Sequence, residues 1–122
     1  MAFENPKLPM TGVLAGEDLS THQFKVMVLD GNGKVVRQTT PGADWDGVLQ
    51  DKPLQDQAAT VATAGETKVE AGATVAPGDL VMVDATARVI PATATNFAGG
   101  RARTGGDAGG LITVMLRPYG TI

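Results

Sequence analysis

Phe24-Lys25-Val26-Met27-Val28-Leu29, Asp30-Gly31-Asn32-Gly33 and Lys34-Val35-Val36-Arg37-Gln38 follow one another without a break. Two runs rich in β-branched and aliphatic residues flank a segment made of Asp, Gly and Asn. Tight hairpin turns need positive φ, which Gly and Asn adopt at low cost, so the stretch predicts an antiparallel hairpin. The same segment opens Asp-x-Asn-x, as a calcium loop does. An EF-hand loop starting at Asp30 would need Gly at its sixth position and Glu at its twelfth. Val35 and Pro41 stand there, so the calcium reading fails and the hairpin stands.

The same grammar recurs outward from this point. Gly47-Val48-Leu49-Gln50 reads as a short strand, closed by Asp51-Lys52-Pro53, because proline cannot donate to a ladder. Ala59–Ala62 and Thr67–Val69 read as two strands joined around Ala64-Gly65-Glu66. Leu80–Val83 and Arg88-Val89-Ile90 flank Asp84-Ala85-Thr86-Ala87 as a second hairpin, stopped by Pro91. Ala98–Arg103 reads as a further strand. Leu111–Leu116 is the most hydrophobic strand, expected to end at Arg117-Pro118-Tyr119-Gly120. Short β patterns at roughly ten-residue spacing, with no sustained helical stripe, predict an all-β fold. The expected architecture is a small β-barrel or sandwich of short antiparallel strands, with one core domain over residues 23–122.

Residues 1–22 lack a period and are punctuated by Pro6, Pro9, Gly12 and Gly16. They read as an extended N-terminal arm, able to add a strand to a partner's open sheet edge. Its apolar and proline positions, Phe3, Pro6, Leu8, Pro9, Leu14 and Leu19, are the candidate partner contacts. Such an arm is expected to be mobile in the free protein.

Composition narrows the chemistry. The chain has 122 residues, a formal net charge of −3, no Cys and one His. That length suits one compact domain. The absence of cysteine removes disulfides, thiol nucleophiles and Cys-metal sites, and a single His cannot build a His cage. Net acidity argues against nucleic-acid binding, which needs cations to neutralise phosphates. The apolar runs fall far short of the ~20 residues of a membrane span, and Met1–Met10 holds no hydrophobic stretch, so synthesis in a cytoplasm and no membrane partner are expected. Aromatic residues are only 4 %, as in a β-structure packed from small side chains.

No catalytic constellation emerges. Ser20 and His22 lie two apart with no third partner nearby. Asp44 and Asp46 flank Trp45 and read as solvated loop acids. Gly99-Gly100-Arg101-Ala102-Arg103-Thr104-Gly105-Gly106 misses the phosphate-loop spacing. Twelve of the 13 acids precede residue 91, whereas residues 91–122 carry Arg101, Arg103 and Arg117 against Asp107 alone. Trp45, Arg101, Arg103 and Tyr119 are therefore candidate subunit-interface residues, Trp45 as a core plug or anchor. No enzyme activity, cofactor or metal is expected.

Four blocks carry a resemblance: Asp18–Lys25, Gly47–Pro53, Gly65–Val69 with Ala71–Asp84, and Gly110–Leu116. In that order the chain resembles the small capsid decoration (cement) proteins of tailed bacteriophages, over roughly residues 18–122. The resemblance implies a virion protein on the capsid exterior, commonly a homotrimer at three-fold and quasi-three-fold positions. It implies that the partner is the major capsid protein, whose neighbouring copies it clamps together. Two other readings are weaker. One is another virion part, from a tail tube or head fibre. The other is a lipoyl/biotinyl-like carrier, echoed in Val69-Glu70-Ala71-Gly72 and Val75–Asp79, although Lys34 lacks the neighbours of a modified lysine.

Overall fold

The structure, a computed structural model, describes residues 7–121; Phe3 and Pro6 lie outside them, and of residues 7–12 only the backbone is described. The described chain is all-β: β1 (Lys7–Leu14), β2 (Val26–Leu29), β3 (Val35–Arg37), β4 (Gly47–Leu49), β5 (Ala58–Glu70), β6 (Leu80–Val83), β7 (Val89–Pro91), β8 (Phe97–Ala102) and β9 (Leu111–Thr121). All strand pairs are antiparallel.

Both expected hairpins form, and by one device. In β2–β3 the Asp30 N–H donates to the Lys34 carbonyl at 2.7 Å, and Asp30 Oδ1 accepts from the N–H groups of Asn32 and Lys34 at 2.8 and 3.0 Å. In β6–β7 the Asp84 N–H donates to the Arg88 carbonyl at 2.8 Å, and Asp84 Oδ1 accepts from Thr86 and Arg88 at 2.8 and 3.0 Å. The fourth turn residue is left-handed in each, Gly33 at φ 75° and Ala87 at φ 62°. Asp supplies the acceptor that reverses the chain, and the positive-φ residue completes the turn.

The likeness extends to the whole topology. In the first half, β1 pairs β5, β5 pairs β4, β4 pairs β2 and β2 pairs β3. Ala15, just past β1, closes the ring with a parallel bridge to Val35. In the second half, the end of β5 takes the place of β1. It pairs β9, β9 pairs β8, β8 pairs β6 and β6 pairs β7, while Ala71 bridges to Val89. Gly16 and Gly72 lie against the carboxylates of Asp30 and Asp84. The chain is thus two small curled barrels of the same design, sharing β5.

Their cores match position by position. The first contains Val13, Ala15, Leu19, Met27, Val35, Leu49, Ala59 and Val61. The topologically equivalent residues are Val69, Ala71, Val75, Val81, Val89, Ala102, Ile112 and Val114, and all of them belong to the second core. That second core also holds Val26, Val48 and Ala62. These three sit across β2, β4 and β5 in direct register, on the face opposite Met27, Leu49 and Val61. The first barrel therefore buries both faces of three strands: one in its own interior, one against the second barrel.

Strand β5 differs from the sequence expectation. It is one strand of 13 residues, not two strands joined by a turn. Gly65 has φ 81°, yet it pairs with Lys7 on one edge and Leu116 on the other. Ladder pairing on both edges keeps the chain extended through it. A residue has one partner per edge, so β1 occupies one edge of β5, and β4 and β9 share the other. They diverge at Thr63 and Ala64, between the last β4 partner, Ala62, and the first β9 partner, Gly65. Strand β9 also runs past its expected end. Beyond Leu116 it follows β8 alone, with Phe97 opposite Thr121 and an irregularity between Ala98 and Gly100.

Gly47 has no room for a side chain, since a Cβ there would meet the Ala62 carbonyl oxygen and Val61. Gly47→Ala should lower the urea unfolding free energy by about 1–3 kcal/mol, the usual cost of overpacking. Gly31→Ala, where a Cβ meets nothing within 4 Å, should change it by less than ~0.5 kcal/mol.

Candidate interaction surfaces

The divergence of β4 and β9 opens a cleft of about 330 Å³ between the barrels. Asp44, Trp45, Asp46, Gly47 and Thr63 form the first-barrel wall; Phe97, Gly99, Leu116, Arg117 and Pro118 form the other. Trp45 is 93 % buried and meets Phe97 edge-to-face, with centroids 6.4 Å apart and planes at 80°. Its indole covers Gly99, where a Cβ would collide with the ring. Its Nε1 has no hydrogen-bond partner among the described residues. Asp46 is partly committed, since its Oδ2 accepts the Leu29 N–H at 2.8 Å. The Arg117 guanidinium lies 5.8 Å from the centre of the Tyr119 ring.

The other expected contact residues scatter. Leu8 and Pro9 lie on β1, opposite Ala64 and Ala62. Leu14 is exposed at the end of that strand, whereas Leu19 is fully buried in the first core and offers nothing to a partner. Within the stretch read as an arm, β1 is therefore hydrogen-bonded along β5, and the segment after it supplies core residues. Arg101 and Arg103 are exposed on the second barrel. Arg101 Nε donates to the Gly78 carbonyl at 3.0 Å, and Arg103 pairs with Glu66 at 3.3 Å. Tyr119 is 37 % exposed. Trp45 and Arg117–Pro118 meet at the cleft; Arg101 and Arg103 lie away from its lining.

Buried polar groups serve structure. Thr67, the one buried polar side chain in the described core, accepts from Gln50 Nε2 at 2.8 Å and ties the end of the first barrel to β5. Arg37 donates through Nε and Nη2 to the two carboxylate oxygens of Glu17, at 3.1 and 3.3 Å, and its backbone N–H donates to Oε2 at 2.9 Å. The Arg37 side chain holds the Glu17 carboxyl below its ordinary range, against the opposing effect of burial. His22 is shifted down by partial burial, then by the nearby Arg37 and Lys25 charges. Among the described residues no three His, Asp or Glu side chains converge as a metal set. Sequence reasoning missed the cleft because it depends on which edge of β5 each neighbour takes.

No protein-family model matches the chain, and no curated protein matches it. A solved structure does. The head fiber gp8.5 N base of bacteriophage phi29 superposes with a TM-score of 0.72. The match covers 94 % of this chain and 97 % of that one at 14 % identity, so the fold is shared.

Two outcomes follow for this region. Trp45→Ala should cost about 3–5 kcal/mol in denaturant unfolding, because it empties the seam between the barrels. Glu17→Gln should destabilise the chain at neutral pH. The depressed Glu17 pKa contributes stability above the usual carboxylate range, and that stability is lost as pH falls through the lowered value. The gap in melting temperature between wild type and Glu17→Gln should therefore close on acidification.

Proposed function

We propose that this chain is a non-enzymatic structural protein of a phage virion, bound to the exterior of the head. It acts as trimers at three-fold and quasi-three-fold positions and holds neighbouring major capsid proteins together. The observation that carries the reading is the fold shared over nearly the whole of both chains with the phi29 head fiber base. The resemblance of the sequence blocks to capsid decoration proteins points the same way. The chemistry suits the role. Two barrels fused through a common strand offer a neighbour surface from both. The seam cleft offers a partner apolar walls, an exposed guanidinium and carboxylates. Weak contacts repeated over a symmetric shell gain avidity without any one being strong.

A second reading follows from the same fold likeness: the chain is the base of a head fibre. Both readings put the protein on the head, and they differ in what projects from it. Mixing purified protein with undecorated heads and imaging by cryo-electron microscopy tests them together. Discrete knobs at three-fold positions support decoration, and thin projections rising from those positions support a fibre base. Density along the tail, or bare heads at high protein concentration, would sink both.

A further inference from the structure

The contact between the two barrels is asymmetric, and each barrel has only one half of it satisfied. The first barrel contributes its outer face, Val26, Val48 and Ala62, all fully buried. The second contributes one end. There the Ala87 carbonyl accepts the Val26 N–H at 2.7 Å, the Val83 carbonyl accepts the Gly42 N–H at 3.0 Å, and the Glu70 N–H donates to the Phe24 carbonyl at 3.0 Å. Because the barrels share one design, each of these positions has a counterpart in the other barrel.

The counterparts are open. By register, Val26, Val48 and Ala62 correspond to Leu80, Arg101 and Met115, which sit side by side across β6, β8 and β9. Met115 is 37 % exposed and Arg101 lies in solvent. At the other side, Glu70, Val83 and Ala87 correspond to Leu14, Leu29 and Gly33. Leu14 and Leu29 are 40 % and 41 % exposed. The chain thus leaves free one outer face on the second barrel and one barrel end on the first. These are the two halves of a contact it already makes internally.

We infer that a second copy of this chain completes the contact: the Leu80–Arg101–Met115 face of one copy docks on the Leu14–Leu29 end of the next. Charge fits this occupant. Arg101 replaces Val48 at the centre of the docking face. The receiving end carries Asp46, hydrogen-bonded to the Leu29 N–H, and Asp30, the residue after Leu29. The two patches differ, so the association is head-to-tail, and rotation between copies decides whether it closes into a ring. The inference rests on the self-association in the proposed function and not on attachment to a shell.

The natural absence of cysteine makes the test direct. Chains carrying Leu29→Cys and chains carrying Met115→Cys are mixed and treated with a short bis-maleimide. The expected result is a covalent dimer containing one chain of each kind, identified by mass, with little product from either variant alone. Met115→Asp should shift the assembly to monomer by light scattering, at an unchanged melting temperature of the monomer. Self-linking of Met115→Cys alone would show a face-to-face contact and overturn the inference. So would an oligomer that yields no mixed product, which leaves the proposed trimer standing on other surfaces. A strict monomer at high concentration overturns both. The mixed dimer with bare phage heads would keep this contact and remove only the shell.

Discussion

Backbone pairing along both edges of β5 is the constraint on which the rest of the molecule depends. A strand of 13 residues holds β1 on one side and β4 and β9 on the other. It closes the first barrel with one half of its length and opens the second with the other. Each half gives its alternate side chains to a different interior. Val61 faces the first core, Ala62 the second, and Val69 the second again. Because the period of a strand is two, a one-residue slip of β5 would exchange these faces and expose both cores at once.

The composition follows from that arrangement. Two barrels this small cannot enclose large side chains, so each core is filled by Val, Ala and a few longer aliphatic residues. Where strands bury both faces, even a methyl group is excluded at Gly47 and Gly99. The one tryptophan is placed outside both barrels, in the seam, where a flat ring can cover Gly99 and meet Phe97. The low aromatic content is therefore a geometric requirement of narrow barrels.

Much of the local structure was legible in the sequence. The two Asp-led hairpins, the short strand at Gly47, the strand around Ala98 and the apolar strand from Leu111 are all visible as short β-prone runs bounded by turn residues. What escaped was everything set by long-range pairing. Ala64-Gly65-Glu66 carries the composition of a turn, and pairing with Lys7 and Leu8 on one edge and Met115 and Leu116 on the other keeps it extended. Arg117-Pro118 looks like a stop, but β8 carries the strand onward. Leu19 looked available to a partner because its neighbours lack a period, yet it fills the first core as Val75 fills the second. A signal for the duplication was present: Ala15-Gly16 precedes Asp30…Lys34-Val35 as Ala71-Gly72 precedes Asp84…Arg88-Val89. Most other equivalent positions differ in side chain between the two halves, as Leu49 and Ala102 do, which hides the repeat from inspection of composition alone. The candidate site was less legible than the fold. Trp45 reads from the sequence as a core plug or subunit-interface anchor, but the cleft beside it exists only once two strands part from a common neighbour.

The shared strand also fixes how the molecule answers tension. A pull that drags β5 lengthwise against β1, β4 and β9 strains its ladder bonds in parallel. Such bonds cannot unzip from one end; many must break in a single event. The barrels hold successive halves of β5 that meet at Gly65, so a load on one passes along the same backbone into the other. Under stretching, the chain should behave as one stiff fastener with an abrupt yield point, where two beads on a string would give way in turn.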